Sequence, residues 1–383
     1  MKEFTDSSIK HIYKERIKTL ADYMVENQIG AAVFINNEEH RDPSVSYFTG
    51  LQNDGILIIY SDTFSILLPW DEILAKKTAF YDKLIPFTRF KCNTIEAIKS
   101  TLNLTSDDHN LSQKIDMPPY LSYSTYLHYL DDISSFQLRC TENGCHAFVE
   151  EMRMKKDCIE AYYTRKACEI GDLIIDEIEK QIRNGEIKTE MDVALLIERE
   201  CRKNGCEKTG FETLVANPTR SFAIHATPNY TDGKFPMDGL SIIDFGVVYN
   251  GYTSDTTITI AKGELTEAQK MQLSLVQKAY DECLPLYTKE NLIKDAALKA
   301  DSVFAKAKMK MPHTLGHAIG LEIHEKPRVS SKTQADLHFQ PGMILTLEPG
   351  LYDAKNGGCR LENDVLITDE GNEVLSHSRI IYI

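Results

Sequence analysis

Two aspartates, Asp244 and Asp255, constrain this chain more than any other feature. They lie in SIIDFGVVYNGYTSDTTITI (241–260), where β-branched runs flank Tyr-Asn-Gly-Tyr. Such a segment predicts a β-hairpin, because Asn and Gly tolerate the backbone of a tight turn and Val, Ile and Thr suit a pleated surface. A two-residue turn on Tyr249-Asn250 sets Asp244 directly opposite Asp255, whereas a turn on Asn250-Gly251 shifts the pairing by one diagonal step. Both registers leave the carboxylates on one face, since side chains in a strand alternate with a period of two. Like charges side by side on a sheet are unfavourable unless a cation lies between them.

The C-terminal region offers further ligands in a similar setting. MILTLEPGLY (343–352) and GCRLENDVLIT (358–368) read as two strands joined across DAKNGG, and they carry Glu348 and Glu362. A third stretch, HTLGHAIGLEIHEKPR (313–328), holds His313, His317 and His324. It does not fit the helical zinc-protease pattern, because no histidine follows His324 by four residues and Pro327 would break the helix. His317 and His324 are an odd number of residues apart, so a straight strand would send them to opposite faces; Gly320 supplies a place to bend. Adding His317 gives four carboxylates and one imidazole. Four carboxylates balance two divalent cations, and an oxygen-rich set with one nitrogen suits manganese, iron or cobalt better than a structural zinc. Taken singly, each of these residues is more often a solvated surface group; the conjunction of five is far less easily dismissed, and the residues alone leave open which of them form the set.

The 383 residues suggest two domains. The formal charge of −14 argues against nucleic acid or an anionic membrane as a main partner. The N-terminal MKEFTDSSIKHIYKERIKTL has no apolar core of a signal peptide, and no run reaches the length of a membrane span, so a cytoplasmic location is expected. Nine cysteines without any C-x-x-C pair read as reduced thiols. Residues 1–140 alternate helix and strand, and ENGCHAF then interrupts the pattern: IKTLADYMVENQIG reads as a helix, and AAVFIN, VSYFTG, DGILIIY and FSILLPW as strands. From Val149 to about Arg183 the pattern becomes one long helical region, then EMDVALLIERECRKNG forms a helix, and strands return after about residue 210. The fold class is therefore α/β (α+β), with domains at 1–148 and 149–383.

HATP (225–228), the IIDFG and SDTT segments, HTLGHAIGLEIHEKP, PGMILTLEPGLY and CRLENDVLIT resemble, in order and spacing, the five signature segments of the pita-bread metallopeptidases. That family holds the creatinase, prolidase and aminopeptidase P relatives. The likeness spans the chain and implies a creatinase-like N-terminal domain followed by a pita-bread catalytic domain. It implies that Asp244, Asp255, His317, Glu348 and Glu362 are the ligands of two divalent metal ions, with Asp255 and Glu362 as bridges. Manganese is the first choice, with cobalt, iron or zinc as alternatives. His225, His313 and His324 fall on active-site histidines that contact the substrate or the tetrahedral intermediate. Some positions depart from the family pattern. Ile258 stands where arginine is frequent, Pro218, Arg220 and Ile224 where glycine, asparagine and proline are common, and Asn363 where aspartate is frequent.

The resemblance implies hydrolysis of Xaa-Pro bonds in dipeptides or short peptides, by a hydroxide held between the two metals. His225 and His324 would stabilise the oxyanion, and Glu348 would pass a proton to the leaving nitrogen. Arg328 completes an HExPR sequence from which a guanidinium fork can meet a substrate's terminal carboxylate, although it could instead brace the loop by pairing with a neighbouring acid. The resemblance also implies a homodimer in which the N-terminal domain of one subunit closes the other's site. The alternatives are an Xaa-Pro aminopeptidase acting on longer peptides and a non-catalytic peptide-binding relative. Relatives of the latter kind typically lack metal ligands, and this chain retains all five.

Overall fold

The computed structural model describes residues 4–105 and 113–383. It divides into two compact units, Met1–Met152 and Arg153–Ile383. In the first, α1 (Asp6–Glu26), β1 (Ala31–Asn36), α2 (Pro43–Thr49), β2 (Gly55–Tyr60), β3 (Ser65–Pro69), α3 (Glu72–Thr78), β4 (Lys83–Leu84), α4 (Thr94–Thr105), β5 (Lys114–Met117), α5 (Tyr123–Asp132), β6 (Gln137–Cys140) and α6 (Cys145–Arg153) follow one another. The strands form one mixed sheet in the order β4-β3-β2-β1-β5-β6. Ala31, Val33 and Ile35 of β1 pack with Ile98 and Leu102 of α4, while Phe34 on the other face meets Phe48 of α2. Burial on both faces explains why β1 to β3 are almost uninterruptedly apolar.

VSYFTG, expected as a strand, is instead most of α2. Asp42 caps that helix by accepting the Ser44 N–H, Pro43 occupies its first turn, and Gly50 ends it in the left-handed region at φ 74°. These end signals outweigh the β-branched and aromatic content between them.

In the second unit, the single helical region expected over 149–183 is broken. The end of α6 is separated from α7 (Cys158–Arg183) because Asp157 starts a new helix, accepting the N–H groups of Ile159 and Glu160 while Glu160 reaches back to the Asp157 N–H. α8 (Glu190–Lys203), β7 (Lys208–Thr209), β8 (Leu214–Ala216), β9 (Gly239–Phe245), β10 (Val247–Tyr249), β11 (Tyr252–Thr253) and β12 (Thr256–Lys262) come next, followed by α9 (Glu267–Cys283) and α10 (Ile293–Lys306). β13 (Gly316–Ala318), β14 (Glu325–Val329), β15 (Ile344–Leu347), β16 (Gly350–Asp353), β17 (Gly357–Arg360), β18 (Asn363–Thr368), β19 (Gly371–Val374) and β20 (Ile380–Tyr382) complete the chain. Two sheets dominate, β20-β12-β9-β8 and β14-β13-β15-β18-β19.

Each sheet has its own helical cover. Ile243, Phe245, Ile258 and Ile260 of β9 and β12 pack with Ile174, Ile178, Val193 and Ile197 of α7 and α8. Leu345, Leu347 and Val365 pack with Val276, Tyr280, Ala300 and Phe304 of α9 and α10. Each buried Val, Leu, Ile or Phe side chain among these contributes about 1.5–3 kcal/mol. Because the odd-numbered residues of β9 and the even-numbered ones of β12 point at helices, their neighbours Asp244, Thr257 and Thr259 face the opposite way, toward the second sheet. Ile258, the position where an arginine is common, thus lies in the helix-facing core, turned away from those carboxylates.

Candidate metal centre and active site

The hairpin adopts the Asn250-Gly251 turn, with φ 48° and 84° at those residues, and Tyr249 pairs with Tyr252. In the register this sets, Asp244 faces Thr257, and Asp255 is the diagonal neighbour of Asp244. The two C-terminal strands expected from the sequence are four. β15 pairs with β18 and β16 with β17, and the breaks between them fall at Glu348-Pro349 and Leu361-Glu362. Both glutamates therefore sit where the backbone leaves one sheet for another. His317 reaches the same place from β13, and the chain reverses over 319–324 before returning as β14. This reversal, rather than a bent strand, brings the His317 and His324 rings to 4.4 Å, nearly perpendicular. A Cβ at Gly320 would lie 2.6 Å from the Glu325 carboxylate, so any side chain there would have to displace that group.

Every residue singled out from the sequence lines one cavity of about 350 Å³: Asp244, Asp255, His317, Glu348, Glu362, His225, His313, His324 and Arg328. Ligand atoms of Asp255, His317 and Glu362 lie within 4.8 Å of one another. His317 Nε2 stands 3.5 Å from Asp255 Oδ2 and 3.7 Å from Glu348 Oε1. Its Nδ1 faces the Ala318 carbonyl at 3.2 Å, the arrangement that leaves Nε2 free to coordinate. Burial, then the charge of His324, lowers His317 to about 3, so the imidazole is neutral.

The electrostatics ask for a cation. Burial and then the charges of Glu362 and Asp244 push Asp255 well above the usual carboxylate range. Glu362 is raised by burial and by Glu348, and Glu348 to about 8 by burial and by Asp244 in spite of Arg360. Asp244 Oδ1 is buried without a hydrogen-bond partner. Four carboxylates share one buried guanidinium, Arg360, and its fork is already spread over Asp244, Thr257 and the Tyr352 hydroxyl. The donor set thus has unfilled lone pairs and a deficit of positive charge, which fits divalent metal.

Three residues here were not foreseen. Arg360 is fully buried and also donates to the Ile224 carbonyl at 3.2 Å. Tyr352 accepts from Arg360 and lies 3.0 Å from His313 Nε2. Asp364 lies behind Asp255, accepting its N–H at 2.9 Å and the Cys168 thiol at 3.2 Å, and burial raises it to about 7. An arginine two residues before Glu362, in the segment GCRLENDVLIT expected to be buried, was a readable signal, because a buried charge needs a partner.

His313 has both ring nitrogens occupied, Nδ1 by the Thr314 carbonyl at 2.8 Å and Nε2 by Tyr352, and burial lowers it to about 4. Arg328 stands directly opposite His317 across the β13–β14 pair, so both side chains leave on one face. Among the described residues no carboxylate forms an ion pair with Arg328. The neighbouring Glu325 is instead buried against Arg153 and Lys156, at 2.5 and 2.9 Å.

A mixed α/β chain whose strands converge on a buried, cation-seeking carboxylate cluster has the pita-bread fold of a metallopeptidase. Residues 163–369 match the model of Metallopeptidase family M24, and the chain belongs to that family. It is 30% identical over 382 residues to a Xaa-Pro dipeptidase of Pyrococcus horikoshii, covering 95% of this chain and 97% of the relative. An X-Pro aminopeptidase from Thermotoga maritima superposes with a TM-score of 0.82 at 26% identity, over 96% of this chain and 99% of that one. The prolidase from Pyrococcus furiosus does so with a TM-score of 0.78 at 26% identity, over 94% and 99%. Among the described residues, no helix is long and apolar enough to cross a membrane.

Proposed function

We propose that this enzyme is an Xaa-Pro dipeptidase, using two divalent ions, manganese foremost, held by Asp244, Asp255, His317, Glu348 and Glu362. Metal bound there would supply Lewis-acid polarisation of the scissile carbonyl and an acidified water as nucleophile. The chain's own groups do the rest. Partial burial and the charge of Arg328 lower the His324 pKa, and both His324 and His225 line the cavity, from which their rings can donate an N–H to the carbonyl oxygen as charge develops on it. Glu348, at the edge of the carboxylate set, takes a proton on its carboxylate from the attacking water and delivers it to the leaving imino nitrogen. His313, with both nitrogens satisfied, contributes its ring face to the wall of the cavity. Short proline-containing peptides are the partners, and the enzyme works as a cytoplasmic homodimer.

The observation that carries the dipeptide reading is Arg328, which lines the cavity opposite His317 and has no acid paired to it among the described residues. A guanidinium fork lining the same cavity as the carboxylate set suits the terminal carboxylate of a two-residue substrate. The test is steady-state kinetics with manganese on Xaa-Pro dipeptides and on Xaa-Pro-Yaa tripeptides. Arg328→Ala should raise KM for the dipeptide by about ten- to a hundred-fold, the worth of a charge-assisted contact of roughly 1.5–3 kcal/mol, and spare the tripeptide. Equal effects on both, or none, favour the second reading, an Xaa-Pro aminopeptidase, which the fold likeness to the Thermotoga maritima enzyme keeps open.

A further inference from the structure

We propose that Arg220 is a positioning residue for His225, acting through a clamp that the buried carboxylate of Glu190 closes around the loop 217–231. The proposal rests on the reading of His225 as an oxyanion donor, and it gives a function to a residue that departs from the family's usual pattern.

Glu190 is the first residue of α8 and is fully buried. Its Oε1 accepts the N–H of Asn217 at 2.8 Å, where the loop begins. Its Oε2 accepts the N–H of Thr231 at 2.8 Å and the Thr231 hydroxyl at 2.6 Å, where the loop ends. One carboxylate thus grips both ends of a segment whose middle carries Ile224 and His225 to the cavity. Among the described residues its ion-pair partner is Arg220, from within the same loop. Arg220 Nη1 donates to Glu190, and Nη2 donates to the Pro228 carbonyl beyond His225. The guanidinium therefore staples the segment before His225 to the segment after it, with the buried carboxylate as the fixed point. A planar fork holds the two acceptors in one rigid geometry, which the rotatable donors of an ammonium on a flexible stem do not impose.

His225 depends on such a device. The residue is exposed, so the ring goes chiefly where the backbone of the loop puts it. On the cavity side a hydrogen bond from Arg360 to the Ile224 carbonyl holds the inner edge, at 3.2 Å. The Glu190–Arg220 pair holds the outer edge. Removing Arg220 leaves a buried carboxylate without its counter-charge and frees the Pro228 carbonyl, so the loop relaxes and the His225 donor leaves its line. A misplacement of about 1 Å is enough to cost about a hundred-fold in rate.

The test is a double-mutant cycle on the manganese-loaded, full-length enzyme, joined to NMR of the histidine rings in the metal-free protein. Arg220→Gln should lower kcat by about ten- to a hundred-fold, with KM and bound metal nearly unchanged. In the His225→Ala background the same substitution should change kcat less than about twofold, because the group it positions is gone. Arg220→Lys, which keeps the charge beside Glu190 and loses the fork, should recover part of the rate; if Arg220→Gln fails to fold, the cycle is read with the lysine variant. The His225 imidazole resonance should move in the Arg220 variant while that of His313 stays. An equal kcat loss in both backgrounds, or an unmoved His225 resonance, overturns the proposal. A His225→Ala enzyme with normal kcat sinks the oxyanion reading instead, and the resonance then decides the clamp alone.

Discussion

The hydroxyl of Thr257 donates to Glu362 Oε2 at 2.6 Å, and the two residues also meet through their backbones, the Glu362 N–H bonding to the Thr257 carbonyl at 3.2 Å. This isolated bridge joins the β9–β12 sheet to the break between β17 and β18. It fixes Glu362 at Oε2 and so orients the carboxylate that shares a position with Asp255 and His317. Thr257→Val keeps the shape and removes the donor, so the fold should persist while affinity for manganese falls by about ten- to a hundred-fold. Calorimetric titration of the metal-free protein measures that change.

The histidines should separate by what they hold. His317→Ala should lose bound metal, since its Nε2 points into the carboxylate set. His225→Ala and His324→Ala should keep most of it and lower kcat by about 10²–10³, the effect of losing one oxyanion donor. Metal content and kcat measured on the same preparations check the division. A His324 variant without metal beside a His317 variant that retains it contradicts the assignment.

Glu325 gives a pH dependence of stability. Burial alone would raise its carboxyl, but Arg153 and Lys156 hold it down at about 2. A carboxylate depressed on folding stabilises the native state above its unfolded value, about 4.3, and that contribution disappears as pH falls through the folded value. The metal-free wild type should therefore melt above Glu325→Gln at pH 7, with the gap in Tm closing between about pH 4.5 and 2. A gap that persists unchanged at pH 2 assigns the stabilisation to packing.

Much of this arrangement was legible in the sequence, for physical reasons that also explain the rest. The Asn-Gly turn and the alternation around it placed Asp244 and Asp255 on one face, because a period of two is a local property. Helix ends such as Asp157 and Asp42 are equally local, and the structure departs from the strand expected over VSYFTG and the single helix expected over 149–183 because capping decides the backbone there. What could not be read locally is what non-local pairing creates. The meeting of Thr257 with Glu362, and the wrapping of Arg360 around Asp244, depend on two sheets separated by more than a hundred residues of chain. The same holds for the grip of Glu190 on loop 217–231, since nothing near Glu190 in the sequence announces it.

The central claim is that the buried carboxylate set exists to hold two metal ions on which hydrolysis depends. Elemental analysis of the purified protein, paired with an Xaa-Pro peptidase assay before and after chelation, tests it most directly. The account predicts about two divalent ions per chain, activity lost with them and restored by manganese or cobalt, and both ions lost or one loosely held in Asp255→Ala and Glu362→Ala. A fully active enzyme that contains no metal would contradict it.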